Sequence, residues 1–154
     1  MTDAALRRSL AMLAGVLEAE ARDPWWIIGS AGLWLSGVDP GGIADIDLIV
    51  SAEDGARLLD HWQLDHRADD HPQFRSATYA RWTAPPVPIE LMASFRLREE
   101  GKWVAIEPQT RIAHDVAGAC LYTPSLAEQA ALLRRFGRKK DLDRLARIAA
   151  AEGQ

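Results

Sequence analysis

The feature that most constrains this fold is an apolar run that stops at a glycine-serine turn. A short helix later comes a second apolar run that carries two carboxylates. The first run is Trp25-Trp26-Ile27-Ile28, the turn is Gly29-Ser30, and the second run is Ala44-Asp45-Ile46-Asp47-Leu48-Ile49-Val50. On a strand, residues two apart share a face, so Asp45 and Asp47 aim side by side while Ile46 and Leu48 aim at a core. Two like charges held that close repel each other unless something positive sits between them. A divalent cation with oxygen ligands, such as magnesium, is the usual partner. The plainer reading is a half-exposed strand that alternates polar and apolar residues.

Composition narrows the class. The chain has 154 residues, 48% of them hydrophobic and 26% charged, which fits one globular domain spanning 1–154 with a real core. No apolar run approaches the roughly 18 residues of a membrane span. Met1-Thr2-Asp3 lacks the basic flank and apolar stretch of a secretory leader. Cys120 is the single cysteine, so no internal disulfide is expected, and a reducing cytoplasmic location fits. Its setting in Ala119-Cys120-Leu121 predicts a small core residue. The net charge of -4 argues against broad, sequence-independent nucleic-acid binding. Arg134, Arg135, Arg138, Lys139 and Lys140 nevertheless cluster late in the chain, where they suit either a locally held anion or a solvated helix end paired with Asp141 and Asp143. His61, His66, His71 and His114 show no tight metal-ligand spacing.

Along the chain, Leu6, Leu10, Leu13 and Leu17 repeat at helical spacing and predict an amphipathic helix that Asp23-Pro24 stops. Trp25 to Ile28 reads as a short buried strand and Ala31 to Leu35 as a short helix ended by Gly37. Val38 to Gly42 reads as a loop, and Ile46 to Val50 as the second strand. Ser51 with Asp54 reads as a capping box for a helix to about Trp62, and Ser125 with Glu128 as another, for a helix to Phe136 closed by Gly137. Between these helices, Gln63 to Gln73 is a polar loop and Ala84-Pro85-Pro86 a turn. Thr78–Trp82, Val87–Met92 and Trp103–Ile106 are strand candidates, with Arg98 to Gly101 turn-like. A last helix covers about Lys140 to Ala151. The order predicts an α+β fold, with a sheet of mixed direction and a helical C-terminus over one face.

A third acid, Glu90, stands alone in Val87-Pro88-Ile89-Glu90-Leu91-Met92, facing away from Ile89 and Leu91. It reads either as a solvated strand acid or, if its strand pairs beside that of Asp45 and Asp47, as the third carboxylate of one patch. Magnesium is commonly held by carboxylates plus substrate phosphates, and two such ions can serve an in-line phosphoryl displacement. Gly29-Ser30 supplies the complementary half, because a turn that opens a helix offers free backbone N–H groups and a favourable dipole to phosphate.

These motifs resemble the nucleotidyltransferase superfamily, with its DNA polymerase β-like fold. Its hallmark is a strand, a Gly-Gly or Gly-Ser turn, a short helix, an Asp-x-Asp strand and a third acid on a later strand. Here these fall on Gly29-Ser30, Asp45-Ile46-Asp47 and Glu90. Gly37 and the helical stretch from Pro124 through Lys140 are similar to the small abortive-infection and toxin-type members, so the likeness spans roughly residues 25 to 148. The chain departs from many of them at Pro40-Gly41-Gly42-Ile43-Ala44, where relatives carry an Arg and a Thr. Glu90 replaces the more frequent Asp, and Arg134 stands where a Lys is common.

The resemblance implies a cytoplasmic, magnesium-dependent enzyme with one or two ions at Asp45, Asp47 and Glu90. It would transfer a nucleoside monophosphate from an NTP such as ATP to a hydroxyl and release pyrophosphate. Glu90 would also act as base, Gly29 and Ser30 would cradle the triphosphate, and Arg134 with Lys139 would neutralise phosphate charge. The acceptor stays open among a small hydroxylated molecule, a tRNA end and a partner protein. The alternative is a non-catalytic nucleotide- or partner-binding module that keeps the fold.

Overall fold

The computed structural model describes residues 3–67 and 70–153. Met1 and Thr2 of the leader reading, Ala68 and Asp69 of the polar-loop reading, and Gln154 lie outside the described residues.

Helix α1 (Asp3–Glu20) buries Leu6, Leu10, Leu13 and Leu17 on one face and ends before Asp23-Pro24. Strand β1 (Trp26–Ile28) runs straight into α2 (Gly29–Leu35), which begins two residues earlier than the sequence suggests because Gly29 itself makes the turn at φ 70°. Then come β2 (Ile46–Val50), α3 (Ala52–Trp62), β3 (Phe74–Arg75), β4 (Thr78–Trp82) and β5 (Ile89–Ala93). Strands β6 (Arg96–Glu99), β7 (Lys102–Ala105), β8 (Ile112–Val116) and β9 (Ala119–Thr123) precede α4 (Leu126–Phe136) and α5 (Lys139–Glu152).

The main sheet has the order β1-β2-β5-β4, with β2 and β5 parallel and the other pairs antiparallel, so it is of mixed direction. Strand period 2 sorts its residues into cross-strand rows. Ile27, Leu48, Leu91 and Ala80 form one row. All four are buried against the α1 leucines and Leu58 and Leu59 of α3. On the opposite face, Ile49 and Met92 join Phe95, Leu97, Ile106, Leu132 and Phe136, so α4 and the small sheet β3-β6-β7 cover that side. Helix α5 lies on α4 and α2 through Ile148, Leu133 and Leu33. The adjoining row on this second face is Ile28–Asp47–Glu90–Arg81. Three charged residues therefore sit at the border of an apolar cluster.

Several local expectations need correction. Ser51 and Ser125 do cap α3 and α4, each Oγ accepting an N–H at 3.1 Å from Asp54 and Glu128. The reciprocal half of each capping box is replaced by a longer-range tie. The Asp54 carboxylate accepts from the backbone of Arg22 and Asp23, and Glu128 from that of Gln109 and Thr110. Loop N–H groups without a ladder partner take those oxygens instead. Arg96–Glu99 is a strand, and the turn is only Glu100-Gly101, both at positive φ as a two-residue hairpin requires. A second such hairpin, turning at Ala117-Gly118, joins β8 to β9. In β9, Leu121 and Thr123 point inward, which leaves Cys120 exposed rather than in the core.

Candidate active site

A cleft of about 300 Å³ opens where β2 and β5 lie side by side, with α5 and the end of α4 as its far wall. Parallel pairing sets Asp47 beside Glu90. One carboxylate oxygen each from Asp45, Asp47 and Glu90 lies within 4.8 Å of the others. Asp45 precedes β2 by one residue and still reaches the same patch, as the two-residue spacing requires.

Electrostatics mark Asp47 as the strained member. Burial first, then the charges of Asp45 and Glu90, push its carboxyl up to about 7, against the pull of Arg144 and Lys140. Such a cluster gains from an added cation, and its all-oxygen donor set suits a hard divalent ion. Gly29 completes this corner. A Cβ there would lie 2.5 Å from Asp47 Oδ2, so only glycine lets the β1–α2 turn approach the carboxylate. No side chain caps the start of α2.

Two residues that the sequence reading did not single out hold Glu90. Arg81 Nη1 donates to Glu90 Oε1 at 2.5 Å and lies 3.6 Å from Asp45 Oδ2. Tyr79 Oη donates to Glu90 Oε2. Burial, followed by this bond to Glu90, holds the Tyr79 hydroxyl well above its usual range. Tyr79 and Arg81 are two apart on β4, the same spacing as Asp45 and Asp47. The pairing of β4 with β5 turns that spacing into contact.

The basic residues divide between wall and solvent. Helix α4 turns Leu132, Leu133 and Phe136 inward, so Arg134 and Arg135 are exposed. Arg135 pairs with Glu99. Lys139 is exposed and pairs with Asp143 at 3.0 Å. The cations lining the cleft are Arg138, Lys140 and Arg144. Arg138 is taken by buried Asp141. Among the described residues, Lys140 and Arg144 have no ion-pair partner. Their i, i+4 spacing was the available signal. Gly29 lines the cleft, whereas Ser30 is buried behind it in the first turn of α2.

The cleft's other end is apolar, lined by Phe74, Met92, Phe95 and Phe136. Within it Ser76 Oγ is buried without a hydrogen-bond partner among the described residues.

No protein-family model and no curated protein matches the sequence. Among solved structures, a candidate nucleotidyltransferase of Thermotoga maritima is similar at TM-score 0.76 and 19% identity, over 95% of this chain and 93% of that one. An antigenic nucleotidyltransferase-like protein of Paracoccidioides brasiliensis is similar at TM-score 0.50 and 19% identity, over 96% of this chain and 77% of that one. Among the described residues, no helix is long and apolar enough to cross a membrane. The chain has the nucleotidyltransferase-like α+β fold, with its mixed sheet and helical C-terminus.

Proposed function

We propose that this chain is a nucleotidyltransferase that transfers a nucleoside monophosphate from an NTP to a hydroxyl acceptor. The observation that carries the proposal is the convergence of Asp45, Asp47 and Glu90 beside Gly29, facing Lys140 and Arg144, which have no ion-pair partner among the described residues. Asp45, Asp47 and Glu90 would hold one or two magnesium ions. When bound, these supply charge stabilisation for the phosphoryl oxygens.

The protein's own groups account for the rest. Lys140 and Arg144 attract the triphosphate to the wall opposite Asp47. The N–H groups of the Gly29-Ser30 turn complete the cradle. The acceptor oxygen bonds to the α-phosphorus, the bond to the bridging oxygen of the β-phosphate breaks, and pyrophosphate leaves. The hydroxyl proton passes to a carboxylate of the cluster, Glu90 in this proposal, whose two oxygens Arg81 and Tyr79 hold in place. Magnesium, the identity of the nucleotide and a cytoplasmic setting belong to this proposal, as does the likeness to abortive-infection and toxin-type members. The acceptor remains a small hydroxylated molecule, a tRNA end or a partner protein.

One observation favours a second reading, a nucleotide- or partner-binding module without turnover. Arg81 already neutralises Glu90 and Asp45, as a retired metal site would need. Two measurements separate the readings. Calorimetry should show magnesium-dependent NTP binding that Asp47→Ala abolishes; equal binding in both proteins would sink the metal role. Incubation with α-labelled NTPs and a cell extract should move label onto an acceptor. Binding without transfer would establish the second reading.

A further inference from the structure

A second concentration of charge lies away from the cleft, on the outer face of the small sheet β3-β6-β7. Register sets its membership: Arg75 lies directly opposite Arg96, and Arg98 directly opposite Trp103. Between Arg96 and Arg98, Leu97 is fully buried against the apolar cluster, so its two neighbours face solvent together. The Arg75 guanidinium carbon sits 4.3 Å from the centroid of the Trp103 ring, and that of Arg98 5.9 Å away. All three arginines are exposed, and Trp103 is half-buried.

This arrangement works against the sheet and against the chain's own charge balance. Like charges directly across a strand pair are destabilising. Arg57, Arg81, Arg135, Arg138 and Arg147 each have a carboxylate partner. Among the described residues, Arg75, Arg96 and Arg98 have none, a state they share with arginines elsewhere such as Arg144, but here three of them gather on one face of a small sheet in a chain that carries -4 as a whole. A surface kept positive at that cost suits an anionic partner.

We infer that this face binds a single-stranded nucleic acid, with phosphates on the arginine forks and a base stacked on the Arg75–Trp103 pair. Guanidinium forks match phosphate geometry, and aromatic and guanidinium planes accept any base. An open sheet surface fits an extended strand, and an acidic polypeptide would gain little from the indole. The net negative charge confines binding to this patch and makes it weak and salt-sensitive. Three contacts to a single strand give a slope of log affinity against log salt of about -2.

Fluorescence anisotropy on the intact chain tests this, with short labelled oligouridylate and oligothymidylate titrated from low to physiological salt. The wild type should bind at low salt with that slope. The triple variant Arg75→Ser, Arg96→Ser, Arg98→Ser should lose about tenfold or more and flatten the slope. Arg8→Ser, on the exposed side of α1, should change little. Trp103→Leu should weaken oligonucleotide binding and leave inorganic polyphosphate binding unchanged. Melting curves confirm that each variant folds. Absence of low-salt binding, or equal binding by the triple variant, would overturn the inference. So would polyglutamate binding as tightly as the oligonucleotides while Trp103→Leu changes nothing, which would give the face to an acidic polypeptide. None of these outcomes bears on the cleft, since no cleft residue is altered.

Discussion

Arg81 Nη1 lies 2.5 Å from Glu90 Oε1 and 3.6 Å from Asp45 Oδ2, so one guanidinium spans two of the three carboxylates at the cleft. A side-chain cation and a divalent ion compete for the same oxygens. Arg81→Gln should therefore tighten manganese binding, measured by calorimetry, by about tenfold, the equivalent of roughly 1.4 kcal/mol. Arg144→Gln, which removes a cation that acts on Asp47 from across the cleft, should have a smaller effect. Weaker binding in Arg81→Gln would mean that Arg81 shapes the triad and does not compete for it.

Asp47 should make the cleft pH-sensitive in a definite direction. Its folded value of about 7 lies above the ordinary 3.8, so the native chain holds this proton more tightly than the unfolded chain. The resulting stability is full below the unfolded value and is lost as pH rises through 7. Asp47→Asn should then gain stability relative to wild type between acidic pH and pH about 8, on the order of 1–3 kcal/mol by urea titration. Metal affinity should rise over the same window, because the ligand must be deprotonated. A difference between variant and wild type that does not change with pH would refute the raised value.

Most of the fold was legible where local patterns agree with burial. The α1 leucines, the alternation of Ile46 and Leu48, and the Ser51 and Ser125 caps all reappear in the structure. The cluster of Asp45, Asp47 and Glu90 was legible as far as spacing carries, but its closure depended on β2 pairing with β5, which no local pattern encodes. For the same reason Tyr79 and Arg81 went unread: their role exists only across the β4–β5 pair. The β8–β9 hairpin was missed because β8 is largely exposed and β9 buries only Leu121 and Thr123, so neither strand shows a clean apolar alternation. Basic residues were visible as a cluster, but helix phase decided which of them face the cleft. Lys140 and Arg144 line it, while Lys139 pairs with Asp143.

Gly29 tests how tightly the turn and the acid are fitted together. Gly29→Ala places a Cβ 2.5 Å from Asp47 Oδ2 at φ 70°, a backbone region that side chains disfavour. We expect a loss of about 1–3 kcal/mol in thermal or urea unfolding. Manganese affinity should fall as well, because Asp47 must move. Gly37→Ala is the control: φ is also positive there, but open space surrounds the site, so it should cost stability and leave metal affinity unchanged. Equal metal affinity in both variants would separate Gly29 from the acid cluster.

Asp54 carries the opposite pH signature and anchors the approach to the site. Its fully buried carboxylate accepts from the backbone N–H groups of Arg22 and Asp23 and from Arg57. Burial alone would raise its carboxyl, but these donors together hold it below the usual range. It ties the start of α3 to the segment leading into β1, and so steadies the strand that delivers Gly29. Asp54→Asn keeps the shape but turns an amide NH₂ toward donors and leaves Arg57 without its partner. The expected cost at neutral pH is about 2–4 kcal/mol by urea denaturation. A lowered folded value means that the stabilisation is present above the unfolded value, about 4, and is lost as pH falls through the folded one. The gap between wild type and Asp54→Asn should therefore narrow at acidic pH, whereas the gap for Asp47→Asn opens as pH rises from about 4 through 7. If the Asp54→Asn gap were constant across this range, the tie would not depend on a charged carboxylate, and Asn would be failing through geometry alone.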